Sequence, residues 1–187
     1  MLQNNAMKTS FYTSEELKQI GLKSFGDNVL ISRKTSIYSP SKISIGNNVR
    51  VDDFCILSGE ITIGSNIHIS AYCALYGSMG IEINDYSGIS PRCTIFSAMD
   101  DFSGDFLIGP IHDTKSTNVT GGKVVMNRFT QLGAGCIVFP SVVLNEGAVT
   151  GAMTLVNKDL EPWTINTGIP VNKSRPRKNG LLEKFEV

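Results

Sequence analysis

Only two histidines, His68 and His112, occur in this chain of 187 residues. Imidazole is the usual general base at neutral pH, so these two come first as candidates for proton transfer. His112 lies in Gly109-Pro110-Ile111-His112-Asp113, inside a segment from Ser97 to Lys123 that is rich in Asp, Gly, Ser and Thr. Asp113, Asp100 and Asp101 are the carboxylates that can orient its ring. The pair Asp100-Asp101 opens the segment; it suits hydrogen bonds to hydroxyl groups or a protonated amine, and it also reads as a plain polar loop start. Thr117 and Asn118 lead the chain back, with Asn118 a candidate substrate contact. His68, in Asn66-Ile67-His68-Ile69, falls inside a regular aliphatic pattern. Its offset there puts it at a corner, facing outward or toward a neighbouring subunit, as a substrate contact or a structural histidine. No metal is expected: two histidines in the chain argue against a catalytic zinc site with three, and the four cysteines show no CxxC spacing.

Those residues must be held by the elements around them, and the sequence shows a repeat. Large aliphatics recur in steps of six at Ile45, Val51, Leu57, Ile63, Ile69, Leu75 and Ile81, then at Ile83, Ile89 and Ile95 after a shift of two. A third series runs Met126, Leu132, Val138, Leu144, Thr150, Val156, with Thr150 its one polar member, and an upstream series starts at Ile31 and Ile37. Gly and Asn cluster at fixed offsets, as in Gly46-Asn47-Asn48, where left-handed backbone angles suit a repeated turn. A period of six fits neither a helix nor a hairpin sheet. It fits a strand-and-turn unit stacked on itself, three units to a coil of 18 residues, which is a parallel β-helix. Cys55, Cys73, Cys93 and Cys136 each follow a series member by four residues, which makes them small inward-facing core residues. The shift of two predicts a bulged corner near Tyr76 to Gly80.

Composition agrees with strands: 19 Ile and 13 Val against 7 Ala, with 18 Gly. Lys plus Arg equals Asp plus Glu at 17 each, which argues against nucleic acid or an anionic membrane as partner. No apolar run reaches membrane-spanning length and the N-terminus has no signal-peptide core, so a cytoplasmic protein is expected, with Met7 an alternative start. Residues 1–24 form an N-terminal extension with a short helix at Thr13 to Ile20, capped by Thr13-Ser14-Glu15-Glu16 and ended by Gly21. Residues 25–156 form the β-helix, interrupted by the loop 97–123. Residues 157–187 leave the coils through Asn157-Lys158-Asp159, pass Gly168-Ile169-Pro170, and end in a basic stretch in which Arg177 and Lys178 read as a solvated tail.

The hexapeptide series, the interrupting loop and the ending Val156-Asn157-Lys158-Asp159 … Gly168-Ile169-Pro170 resemble the hexapeptide-repeat acyltransferases over residues 25 to 176. The nearest branches are the galactoside and maltose O-acetyltransferases and the acetyltransferases of surface-polysaccharide sugars. The resemblance implies an all-β, left-handed parallel β-helix, a homotrimer, and acetyl-CoA bound in a groove between subunits. It implies that Gly133, Ala134, Gly151 and Ala152 line the pantetheine groove. It also implies that Asn157, Lys158, Ile169, Pro170, Lys173 and Arg175 meet the adenine and phosphates. In the galactoside and maltose branch the catalytic histidine occupies the loop that here contains His112, although the Gly-His-Pro wording of that branch is absent. Backbone N–H groups at Gly121-Gly122 or Gly133 are candidates for the oxyanion donor. The expected reaction is acetyl transfer from acetyl-CoA to a hydroxyl or amino group of a sugar or nucleotide-linked sugar, for O-antigen or capsule biosynthesis. An antibiotic O-acetyltransferase and a non-catalytic scaffold trimer are the alternatives.

Overall fold

A computed structural model describes residues 9–185. The alternative start Met7 and the rest of residues 1–8 lie outside them, as do the last two residues. The chain winds into stacked coils that make the three faces of a triangular prism; a ten-stranded sheet wraps two of the faces and an eight-stranded sheet makes the third. Each face is one column of the repeat. The first stacks Ile37, Leu57, Leu75, Ile95, Val138 and Val156. The second stacks Ile45, Ile63, Ile83, Met126 and Leu144. The third stacks Ile31, Val51, Ile69, Ile89 and Leu132. Nearly all of these side chains are buried, and they meet along the prism axis as one core. This is the parallel β-helix that the repeat calls for, in the left-handed form that the family resemblance implies.

The shift of two has a concrete form. Strands Ile56–Ile63 and Ala74–Ile83 run round a corner without a break, and their register slips between Gly59 and Ile61. Leu57 pairs with Leu75 before the slip and Ile61 with Ile81 after it. Ile81 therefore belongs to the column of Ile43 and Ile61, not to the six-residue series it seems to continue.

The cysteines form a column inside one edge. Each thiol donates to a carbonyl of the next coil: Cys55 to Ser70 (3.2 Å), Cys73 to Ser90 (3.2 Å), Cys93 to Gly133 (3.0 Å) and Cys136 to Gly151 (3.1 Å). All four are free and buried. The neighbouring thiols and burial push Cys55 and Cys93 well above the ordinary thiol range. Thr150, the polar member of its series, is buried because its hydroxyl has work inside. It accepts from the Gly133 N–H at 3.0 Å and lies 3.2 Å from the Cys136 thiol.

The ends are closed differently. At the N-terminal end the helix Ser14–Ile20 has the expected capping box, with Thr13 and Glu16 bonding each other's backbone, and Gly21 in the left-handed conformation ends it. Arg33 clamps Glu16 through two bonds of 2.8 and 2.6 Å. At the C-terminal end the strand Thr164–Gly168 joins the sheet of the third face in parallel, and Val171–Pro176 turns back antiparallel along it.

Candidate active site

The loop between Ser97 and Lys123 is not structureless. Ala98–Asp100 pairs antiparallel with Val119–Gly121, making a two-stranded stem that projects from the prism. Ser97 fixes its base: the buried hydroxyl donates to Tyr76 O (3.0 Å) and accepts from Met79 N (2.8 Å), tying the loop to the slipped corner. Farther out, Asp101 N donates to Asn118 O at 2.9 Å, and Asn118 Nδ2 returns a bond to Asp101 Oδ2 at 2.8 Å. Asp101 Oδ1 also accepts from Ser103 N at 2.7 Å. Those bonds, the Ser103 backbone first, hold the Asp101 carboxyl below its usual pKa range. Asp101 and Asn118 thus clasp the stem, and both of their side chains are engaged in it.

Asp100 is placed differently. With Ser78, Phe96, Ala98, Met99, Phe102, Val119 and Phe139 it lines a cleft of about 370 Å³ between the stem and the first face. That volume is within the range of small-molecule sites. Apolar and aromatic walls around one carboxylate make a place for a ligand that carries an amine on an otherwise weakly polar body.

The two histidines lie elsewhere in the protomer. His112 is exposed on the outer loop and is absent from the cleft wall. The carboxylates proposed to orient it are differently engaged, since Asp113 Oδ1 accepts from Lys115 N at 2.9 Å. His68 stands in the middle of strand Ile67–Ile69 on the third face, not at a corner, although it does face outward. Its Nε2 is 2.8 Å from Asp52 Oδ2, and Asp52 Oδ1 takes Arg50 Nε at 2.7 Å. The strand's alternation decides this: Ile67 and Ile69 point in, so His68 points out.

The small pairs have a packing reason. A Cβ on Gly133 would come 2.5 Å from the Gly151 carbonyl carbon, so glycine there lets successive coils touch. Ala134 and Ala152 are the exposed members of the pairs. Two proposed oxyanion donors are taken: Gly122 N donates to Ser97 O at 2.9 Å, and Gly133 N to Thr150. The C-terminal residues do gather. Lys158 and Lys173 border a depression of about 250 Å³ with Asn166 and Asn172, beside the exposed hairpin tip Ile169-Pro170 and the exposed Arg175. Asn157 is exposed at the turn that precedes them. Sequence reasoning missed two things here. The aromatic wall Phe96, Phe102 and Phe139 carries no periodic signal, because these are outward positions. Arg177 is no solvated tail: Nη1 donates to Phe129 O and Gly147 O, both at 2.8 Å, and burial lowers its pKa.

Among the described residues no group of three His, Cys, Asp or Glu side chains is arranged to hold a metal. Among them also, no helix is long and apolar enough to cross a membrane.

Known proteins share this design. A dTDP-4-amino-4,6-dideoxy-D-glucose acyltransferase of Escherichia coli is 43% identical over 175 residues, 92% of this chain and 91% of that protein. Crystal structures of AntD, an N-acyltransferase from Bacillus cereus, superpose with a TM-score of 0.92. One complex, of a point variant, holds dTDP-4-amino-4,6-dideoxyglucose and coenzyme A; it is 51% identical and covers 95% of this chain and 96% of AntD. Another holds dTDP and 3-hydroxybutyryl-CoA, at 52% identity and 96% of each chain. A hexapeptide-repeat acetyltransferase from Vibrio cholerae shares the fold at 16% identity, with a TM-score of 0.56 over 88% of this chain and 80% of its own. A chloramphenicol acetyltransferase of Klebsiella aerogenes matches over only 56 residues at 36% identity, 30% of this chain and 27% of that protein. No family model matches. With the six-residue repeat wound into a left-handed prism, a stemmed loop over a cleft, and whole-length likeness to acyltransferases, the chain belongs to the hexapeptide-repeat acyltransferases and is an acyl-CoA-dependent enzyme.

Proposed function

We propose that the enzyme transfers an acyl group from acyl-CoA to the amino group of a nucleotide-linked amino sugar, with a dTDP-linked 4-amino-4,6-dideoxyhexose as the first candidate. The observation that carries this reading is the near-complete overlap with AntD, one of whose complexes holds a dTDP-sugar with coenzyme A and another dTDP with 3-hydroxybutyryl-CoA. The cleft fits it: a deoxy sugar offers a methyl group to apolar walls and an amine to Asp100. The antibiotic reading rests on a match over less than a third of the chain.

In this mechanism the amine nitrogen attacks the thioester carbonyl carbon. The carbonyl π pair moves to oxygen and returns as the C–S bond breaks, leaving an amide and the CoA thiolate. The proton lost by nitrogen ends on the thiolate, directly or through a protein group. Asp100 orients the amine and relays that proton. His112 is the alternative base; it would have to enter the cleft from its loop, within the protomer or from a neighbouring subunit of the homotrimer that we also propose. Asn157, Lys158, Ile169, Pro170, Lys173 and Arg175 hold the coenzyme, and Ala134 and Ala152 flank the pantetheine arm. His68 is left as a surface contact of the third face. An N-acylated nucleotide sugar is the kind of donor that polysaccharide assembly consumes, which supports reading the enzyme as a cytoplasmic one upstream of such assembly.

The test is thiol release with purified enzyme. Acetyl-CoA and 3-hydroxybutyryl-CoA are each offered with dTDP-4-amino-4,6-dideoxyglucose, with its 4-hydroxy analogue, and with chloramphenicol. Turnover confined to the amino sugar is the expected result. Turnover of chloramphenicol alone would overturn the reading.

A further inference from the structure

One corner of the prism is a single column of residues linked by a backbone ladder. Asn48 N donates to Asp27 O, Asn66 N to Asn47 O, Tyr86 N to Ser65 O, Phe129 N to Asp85 O, Gly147 N to Arg128 O and Trp163 N to Glu146 O. In the early coils the column is asparagine, with Asn28 Nδ2 bonded to Asn48 Oδ1 and Asn48 Nδ2 to Asn66 Oδ1, each at 2.8 Å. In the later coils it becomes aromatic. Tyr86 stacks on Phe129 at 5.3 Å, and Phe129 meets Trp163 at 6.1 Å. Gly147 lies between those two, and the Trp163 ring fills the space where its Cβ would be.

Arg177 ends this column. Its N–H donates to Trp163 O at 2.7 Å, and its guanidinium carbon lies 5.6 Å from the centre of the Trp163 ring. Nη1 reaches both the Phe129 and Gly147 carbonyls, so one side chain binds two successive coils. The position along the chain matters. Thr164 pairs with Pro176, Ile165 with Arg175 and Thr167 with Lys173, so Trp163 and Arg177 flank the open base of the C-terminal hairpin. Ile169-Pro170 is its tip. An isolated two-stranded hairpin is marginal in water; this one joins the sheet by one strand and is pinned at its base by Arg177.

We propose that Arg177 is a positioning residue for the acyl donor. By clamping the hairpin base onto the aromatic column it sets where Lys173, Arg175 and Ile169-Pro170 meet the coenzyme. The inference rests on the reading of that hairpin as the coenzyme contact. Arginine suits the role because Nη1 alone carries two N–H groups, one for each carbonyl, while the planar guanidinium lies against the indole ring; a lysine ammonium has no such plane.

The experiment compares Arg177→Met, Arg177→Lys, Lys173→Ala and Arg175→Ala by steady-state kinetics, with melting temperature recorded for each. Arg177→Met is expected to raise KM for acyl-CoA about tenfold. Its kcat and its KM for the amino sugar should stay within about twofold of the parent, and Arg177→Lys should fall between. Lys173→Ala and Arg175→Ala should also raise KM for acyl-CoA. If those two do so and the Arg177 variants do not, Arg177 has no positioning role although the hairpin reading stands. If none of the four moves that KM, the hairpin reading itself falls. A fall in kcat together with a rise in both KM values would make Arg177 a general stabiliser and overturn the proposal. Should Arg177→Met fail to fold, Arg177→Lys carries the same comparison.

Discussion

Asp100 and Asp101 are chain neighbours with opposite employment. Asp100, the last residue of its strand, lines the cleft, whereas Asp101, just past the strand end, reaches across to Asn118. Substitution should separate them. Asp100→Asn keeps shape and removes the anion; it is expected to lower kcat/KM for the amino sugar by about 10²–10³ with the acyl-CoA KM unchanged. His112→Ala is expected to leave the rate within about threefold, because an amine is already a competent nucleophile once deprotonated. Steady-state kinetics on the two variants decides between them. A loss of about 10² or more confined to His112→Ala would make the histidine the base and Asp100 a bystander. The sequence brought both groups forward, but it could not rank them. Side-chain direction inside a loop depends on pairing between residues about twenty apart, and the Asp100–Val119 register is not encoded in any local spacing.

Elements that lie outside the coils depend on small sets of polar bonds. The N-terminal helix buries Leu17 in the core and is also tied to the prism through Glu16 and Arg33; those polar bonds, the Arg33 fork first, lower the Glu16 carboxyl from 4.5 to about 2. A depressed folded-state pKa contributes stability above the unfolded value and loses it as pH falls. The difference in melting temperature between the parent and Glu16→Gln should therefore be constant above about pH 5 and shrink toward zero between 4.5 and about 2. A difference that persists unchanged at pH 2 would mean that the contact is not ionic. The stem of the loop is a second such element. Asp101→Ala removes the acceptor for Ser103 N and for Asn118 Nδ2. Hydrogen exchange should speed up in 98–121 and stay slow in the coils. The helix was legible from its capping box, since the signal is local. The slip at Gly59 to Ile81 was legible as a phase change but not as a strand bent round a corner. The two buried bonds of Arg177 left no trace in its basic neighbourhood, because their acceptors are backbone carbonyls 48 and 30 residues away.

At the scale of the molecule the fold was written plainly, because every inward position repeats and the solenoid has no other core. The cysteine column is part of that repetition. Thr35 continues it at one end, its hydroxyl donating to Asp52 O of the next coil as the thiols do, and Thr154 at the other, donating to Gly151 O within its own coil. All four thiols should stay inert toward a thiol reagent in the native protein and react together when the prism unfolds; a thiol that reacts in the folded enzyme would contradict their burial. Saturating acyl-CoA should raise the melting temperature, as expected for a ligand worth about 2.7 kcal/mol at a hundred times its dissociation constant, with ATP giving no comparable shift. The reversal of the final strand has a consequence beyond any ligand. Parallel coils about 4.8 Å apart present the same edge at every level, so a bare last coil is a template onto which another chain can add without limit. Val171–Pro176 runs antiparallel and lays its polar, exposed side chains along that edge. The hairpin is thus also a terminator of the third face: it ends that stack of parallel strands with one that runs the other way.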